Sequence, residues 1–233
     1  MITYPRETWK THLAKLNFRQ GEHIFVSGPT SSGKTTLIRG PLDRRKYVVA
    51  LFTKLKDPTI KKEFAGYKRF EAWPKHGFNP QTEQKVMIWP SPKRTLRETV
   101  IHQRNVMKHA MDRIARDGGW CVMMDETLFM TDPRFLNIGS EVGMLHYFGR
   151  SAGISAITLA QRPFNIPRVV LSSATHAYIA QTHDDGDKKR LSDLSRVNPR
   201  EIESNMANLT DRHDFIYLNP HGDKQPVIVN SRK

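Results

Sequence analysis

A chain of 233 residues with 38% hydrophobic content is long enough for one large domain with a full core. It holds no apolar run near the ~20 residues that span a bilayer, and its one cysteine, Cys121, leaves neither a disulfide framework nor a cysteine metal site and suits a reducing compartment. The formal net charge of +14 exceeds what solubility asks for and points to a polyanionic partner, nucleic acid above all, with a basic protein-binding face as the alternative.

Residues 1–22 form a lead-in. Met1 to Lys10 is mixed polar and carries Glu7, unlike a signal peptide, and Thr8 to Leu16 predicts a short helix. Residues 23–27 predict a strand. It runs into Gly28-Pro29-Thr30-Ser31-Ser32-Gly33-Lys34-Thr35-Thr36, a Gly-x4-Gly-Lys-Thr pattern that opens a helix. This is the phosphate-binding P-loop (Walker A) grammar. Gly28 and Gly33 let the backbone approach anionic oxygens, and the loop and helix N-terminus aim unpaired N–H groups at them. Lys34 supplies a cation for the β- and γ-phosphates, and the Thr35 hydroxyl can bind Mg2+. The expected helix is short, Lys34 to Arg39, stopped by Gly40-Pro41.

Tyr47 to Phe52 reads as a strand buried on both faces of a parallel sheet. Residues 53–75 carry seven Lys/Arg against three acids, with Phe64, Tyr67, Phe70 and Trp73 at three-residue steps. Two readings fit: a nucleic-acid surface of charges and stacking rings, or an amphipathic helix with its rings turned inward. Val86 to Trp89 is a further strand. From Thr95 the period becomes helical, with Leu96, Val100, Met107, Met111 and Ile114 on one face and Gly118-Gly119 at the end. The opposite face, Arg97, Arg104, Lys108, Arg113 and Arg116, reads as solvated.

Trp120 to Met124 predicts a buried strand delivering Asp125 and Glu126 to its C-terminal edge. Beside a P-loop, Asp125 would hold Mg2+ and Glu126 would polarise the attacking water. Ile154 to Ala160 predicts another strand, 36 positions beyond Asp125 in its end at Gln161, with room for one crossover helix. Gln161 fits a group that senses the γ-phosphate or the lytic water. Thr175 to Ala180 is a fifth strand. Asp184-Asp185-Gly186-Asp187 reads as a loop, and its acids lack the ligand order of a calcium site. Helices are expected over Asp187 to Ser195 and Pro199 to Leu209, and a hairpin over Asp214 to Leu218 and Pro226 to Val229. The ten histidines lack metal-ligand spacing.

Gly28 to Thr36, Met123-Met124-Asp125-Glu126, Gly149-Arg150-Ser151-Ala152-Gly153-Ile154 and Ala160-Gln161-Arg162-Pro163 together resemble the FtsK–HerA superfamily of DNA-pumping ATPases. The nearest branch by resemblance is the small genome-packaging ATPases of tailless, membrane-containing phages and related double-jelly-roll viruses. The resemblance spans residues 23–181. It implies an α/β, RecA-like P-loop core with a mainly parallel sheet flanked by helices. A basic insertion over about 53–93 and a C-terminal extension over 187–233, ending in a β-hairpin, would be added to that core. It further implies ATP and Mg2+ as cofactors and double-stranded DNA threaded through a homo-oligomeric, hexameric ring. The setting would be the host cytoplasm or the virion, at a packaging vertex with a vertex or membrane protein as anchor. An arginine from the neighbouring subunit would complete each site, Arg150 first, then Arg162, then Arg134. Other ATP-driven DNA machines, a nucleotide-gated assembly protein and a nucleotide kinase stay open as alternatives.

Overall fold

The chain enters through a three-residue strand, β1 (Arg6–Thr8), and helix α1 (Trp9–Lys15). Thr8 caps α1 by accepting a hydrogen bond from the Thr11 amide, 3.2 Å away. The computed structural model describes residues 3–164, 166–194 and 198–232. Apolar runs then become strands alternating with helices: β2 (Ile24–Ser27), α2 (Lys34–Asp43), β3 (Val48–Leu51), α3 (Pro58–Glu63), β4 (Lys68–Phe70), β5 (Lys85–Ile88) and α4 (Leu96–Asp117). They continue with β6 (Cys121–Met124), α5 (Thr127–Thr131), α6 (Gly139–Phe148), β7 (Ser155–Ala160), α7 (Arg168–Ser172) and β8 (His176–Ile179). Helix α8 (Asp185–Arg190), a 3-10 turn (Leu191–Asp193), α9 (Pro199–Met206), β9 (Asp214–Leu218) and β10 (Val227–Asn230) complete the fold.

The strands form a single sheet in the order β1-β10-β9-β8-β2-β7-β6-β3-β5-β4. All neighbours from β8 to β4 pair in parallel, while β9 runs antiparallel between β8 and β10. Helices cover both faces. On one face Ile24, Val26, Val48 and Ala50 pack with Leu37, Ile38 and Leu42 of α2 and with Ile60 of α3. On the other, Phe25, Val49, Leu51 and Val122 meet Met107, Met111 and Ile114 of α4. β2, β3, β6, β7 and β8 are buried at every residue, the pattern of strands covered on both faces.

Several expectations are corrected. Helix α2 continues through Gly40 and Pro41 to Asp43. Leu42 is fully buried, and a Cβ on Gly40 would come within 2.7 Å of Leu13, so the glycine is there to seat α1 against α2. Packing of that extra turn outweighs the propensity signals of the Gly-Pro pair. Leu96 opens α4 but is 74% exposed, while Val106 and Ala110 join the buried face. Thr95 and Glu98 make a reciprocal capping box there, which sets the start of α4 without help from Leu96. The crossover from β6 to β7 holds two helices, α5 and α6, where one was expected. Residues 184–187 are the start of α8, with Asp184 as its cap. The expected helix end at Ser195 lies outside the described residues.

The aromatic row of 64–73 is core. Phe64, Tyr67 and Trp73 are buried, Phe64 packs edge-on to Phe52 at 4.9 Å, and Trp73 meets Phe78 at 4.5 Å. They do so from separate elements around α3 and β4, and the three-residue spacing reflects no helix. Residues 53–93 accordingly extend the sheet by β4 and β5. Phe64→Ala is expected to lower stability by about 3–5 kcal/mol, read from the urea midpoint. An unchanged midpoint would take this ring out of the core and return it to a surface role.

Candidate nucleotide site

Parallel pairing brings the C-termini of β2, β3, β6, β7 and β8 to one edge, and the residues just beyond them make the site. The loop after β2 is pinned from both sides: the Gly28 amide donates to the Ala160 carbonyl at 3.1 Å and the Ala180 amide to that of Ser27 at 2.9 Å. A Cβ on Gly28 would sit 2.6 Å from that of Ala180, so the loop leaves the sheet at a point only glycine passes. Gly33, at φ +93°, is the cap from which α2 starts, in backbone space that favours glycine.

Lys34 curls over this loop and donates to the carbonyl oxygens of Gly28 at 2.6 Å and Pro29 at 2.9 Å. An ammonium has three donors, so one stays free for a phosphate. Burial draws its pKa down to about 8, against the opposing pull of Glu126.

Asp125 follows β6 and is 3% exposed. Burial raises its pKa, and Lys54, whose Nζ lies 3.2 Å from Asp125 Oδ2, pulls it back. Lys54 comes three residues after β3, the strand beside β6, and also contacts Asp57 at 3.1 Å. Burial disfavours its charge, but Asp125 and Asp57 together hold its pKa above the usual lysine value. Glu126 caps the entry to α5. Burial raises its pKa, while Gln161 and Lys34 counteract this. Gln161, at the end of β7, donates from Nε2 to Glu126 Oε2 at 2.9 Å. The carboxylate expected to polarise water and the amide expected to sense phosphate are thus one hydrogen-bonded pair.

These groups line a cavity of about 310 Å³ with Thr30, Ser31, Thr35 and Thr36. Ser32 is buried beneath the loop. Glu126 Oε1 and Asp125 Oδ2 are buried without a hydrogen-bond partner, although Lys54 is close to the latter. Such oxygens suit a cation and an ordered water. Among the described residues no cluster of three or more His, Cys, Asp or Glu could hold a metal alone. Mg2+ is commonly held by one or two protein oxygens, with water and phosphate completing its shell. Thr35 and Asp125 are the residues that would hold it.

The arginines fall in different places. Arg150 follows α6 on the exposed surface, and a Cβ on Gly21, just ahead of β2, would meet its Cα at 3.1 Å. It therefore lies at the edge opposite the phosphate loop of its own chain. Arg162 is at the phosphate edge but is clasped by Asp184 at 2.5 Å and Asp187 at 3.0 Å. Arg134 forks onto Asp132 at 2.6 Å. Lys54, Asp57, Arg212 and Arg232 line the cavity without having been anticipated. For Lys54 the signal was available: aligning the ends of the predicted parallel strands puts it beside Asp125. Arg212 and Arg232 flank the terminal hairpin and have no motif.

No protein-family model and no curated relative matches the chain. Solved structures do. The DNA-packaging ATPase B204 of Sulfolobus turreted icosahedral virus superposes with a TM-score of 0.61 at 14% identity, covering 91% of this chain and 98% of that one. The fold is that of the P-loop ATPases. The genome-packaging NTPase B204 of Sulfolobus turreted icosahedral virus 2, in complex with ATP-gammaS, gives 0.57 at 14% identity over 91% and 98%. VirB4 of Thermoanaerobacter pseudethanolicus gives 0.63 at 8% identity over 89% and 88%. These neighbours share the fold that the motif resemblance implies.

Lys34→Ala is expected to abolish nucleotide binding in calorimetric titration. Glu126→Gln should bind nucleotide as the wild type does yet lose on the order of 100-fold or more in hydrolysis. Hydrolysis by Glu126→Gln at the wild-type rate would remove this residue from the role of base.

Proposed function

We propose that the protein is an ATPase that drives double-stranded DNA, as the genome-packaging motor of a virus. The observation that carries the reading is the pairing of Glu126 with Gln161 at the mouth of a P-loop, one strand from Asp125 and its lysine. A site made only to hold nucleotide has no need of a raised, half-buried carboxylate steered by an amide. The net charge of +14 supplies the attraction for a polyanion. Support also comes from the neighbours named above, two of them packaging enzymes.

In this reading Lys34 and the loop amides hold the β- and γ-phosphates, and the Thr35 hydroxyl and Asp125 hold Mg2+, which neutralises charge on the transferring phosphoryl group. Asp125, now paired with Lys54, would hold the metal through the oxygen that lacks a hydrogen-bond partner. Glu126 orients a water for in-line attack and accepts its proton, and Gln161 fixes the carboxylate's rotamer. Catalysis of this kind is mainly positioning and electrostatics.

The assembly we propose is a homo-oligomeric ring, hexameric as in the resemblance, around DNA, working in the host cytoplasm or at a virion vertex. Among the described residues no helix is long and apolar enough to cross a membrane. In the assembly we propose, a vertex or membrane protein is the anchor. Arg150, remote from its own loop, would act only on a neighbour's nucleotide.

ATP turnover is expected to rise severalfold with double-stranded DNA and less with single-stranded DNA, and DNA affinity should fall steeply between 50 and 200 mM salt, by roughly 10³-fold or more for six or more phosphate contacts. Equal turnover with duplex, single strands and no DNA would remove the translocase reading. Arg150→Ala should keep nucleotide binding and lose turnover, and adding the Lys34→Ala chain, whose Arg150 is intact, should restore part of it. Normal turnover by Arg150→Ala would shift the role elsewhere.

A further inference from the structure

The terminal strand pair closes one side of the nucleotide cavity. Because β9 runs antiparallel to β8, the residues before β9 reach the phosphate edge, and because β10 runs back beside it, the residues after β10 reach that edge too. Arg212 stands at the first position and Arg232 at the second, and both line the cavity with Lys34 and Thr36.

This corner is docked on the phosphate loop. His213 Nδ1 lies 3.1 Å from the Ser32 carbonyl, and the Ser231 amide donates to the His213 carbonyl at 3.0 Å. A Cβ on Gly33 would come within 2.5 Å of Ser231 Oγ and 3.0 Å of His213 Nδ1, so hairpin and loop touch with no room between them. The turn beneath is built around Asp214, which accepts from the amides of Thr210 and Asp211 and from the Asn230 side chain. Asn230 Oδ1 in turn accepts from the Arg232 amide at 3.0 Å.

Neither guanidinium is spent inside the protein. Among the described residues no carboxylate lies within ion-pair distance of Arg212 or Arg232, in contrast to Arg134 and Arg162. The Arg212 Nε–H reaches only His213 Nε2, at 3.1 Å. Both side chains are exposed at the cavity wall.

Sheet order then decides which part of the nucleotide they face. β6, which carries Asp125 and Glu126, lies two strands from β2 on one side, and β9 lies two strands from β2 on the other. At about 4.8 Å per strand, carboxylates and arginines stand on opposite flanks of the loop, each roughly 10 Å from its axis. The hydrolytic groups mark the γ-phosphate end, so the arginines stand at the end that is not cleaved.

We infer that Arg212 and Arg232 bind the non-leaving α- and β-phosphates of the nucleotide, making the terminal strand pair a clamp for ATP and ADP alike. This rests on the ATPase reading of the site. Arginine suits the task because its planar fork pairs with phosphate oxygens and keeps its charge.

The test is calorimetric titration of the full chain with ADP, and with Mg-ATP in the Glu126→Gln background, for Arg212→Gln, Arg232→Gln and the conservative Arg232→Lys. Arg116→Gln, an exposed change on α4, controls for bulk charge. Each glutamine variant is expected to weaken ADP and ATP together, on the order of ten-fold, with an unchanged thermal midpoint. Arg232→Lys should recover part of the loss, and Arg116→Gln should stay within about twofold. ADP affinity within twofold of wild type in both glutamine variants, or a loss confined to ATP, overturns the clamp. Failure of the wild type to bind either nucleotide overturns the ATPase reading beneath it.

Discussion

Between β2 and β8 the sheet is covered on both faces, and the strands that flank the phosphate loop are buried at every position. Polar side chains within these strands are held by internal hydrogen bonds, as Thr158 is by His146, and those open to a ligand lie where the strands end. Parallel pairing then aligns those ends, so residues far apart in the chain, Gly28, Lys54, Asp125 and Gln161, arrive on one line. The site is the edge of a parallel sheet, and each of its members inherits its position from a ladder of backbone hydrogen bonds.

That edge is electrostatically tense. Two carboxylates with pKa values raised by burial sit beside a lysine whose pKa burial lowers, and Lys54 stands against the more buried of the two acids. Burial penalises every one of these charges singly, and they persist as a group because opposite signs lie within contact range. In the proposed loaded state a polyphosphate would give Lys34 a stronger partner, and a divalent ion would give Asp125 one in place of the Lys54 ammonium. The network would then be most settled when loaded.

Much of this was legible in the residues. Apolar runs of strand length, a Gly-rich loop and an acidic pair at a strand end all carry local signals, and the strands, the loop, the terminal hairpin and the placement of Asp125, Glu126 and Gln161 at strand ends followed from them. What escaped depends on long-range contacts. Gly40-Pro41 reads as a stop, yet Leu42 and the seat for Leu13 keep α2 going. Phe64, Tyr67 and Trp73 look like a stripe and are core rings from separate elements. β1 is three residues long and exists only because β10 offers an edge. Arg212 and Arg232 reach the cavity through the register of β9 against β8, which no local pattern encodes.

The pairing of β1 with β10, Arg6 opposite Ile228, has a consequence for how the protein is made. Among the described strands β1 has no other neighbour, so its ladder forms only after residues 227–230 are in place. Contacts at such separation are entropically slow to close. The wall beside the phosphate loop is built from the same late segment. A chain folded only as far as β8 therefore carries its phosphate loop without the wall that Arg212 and Arg232 supply.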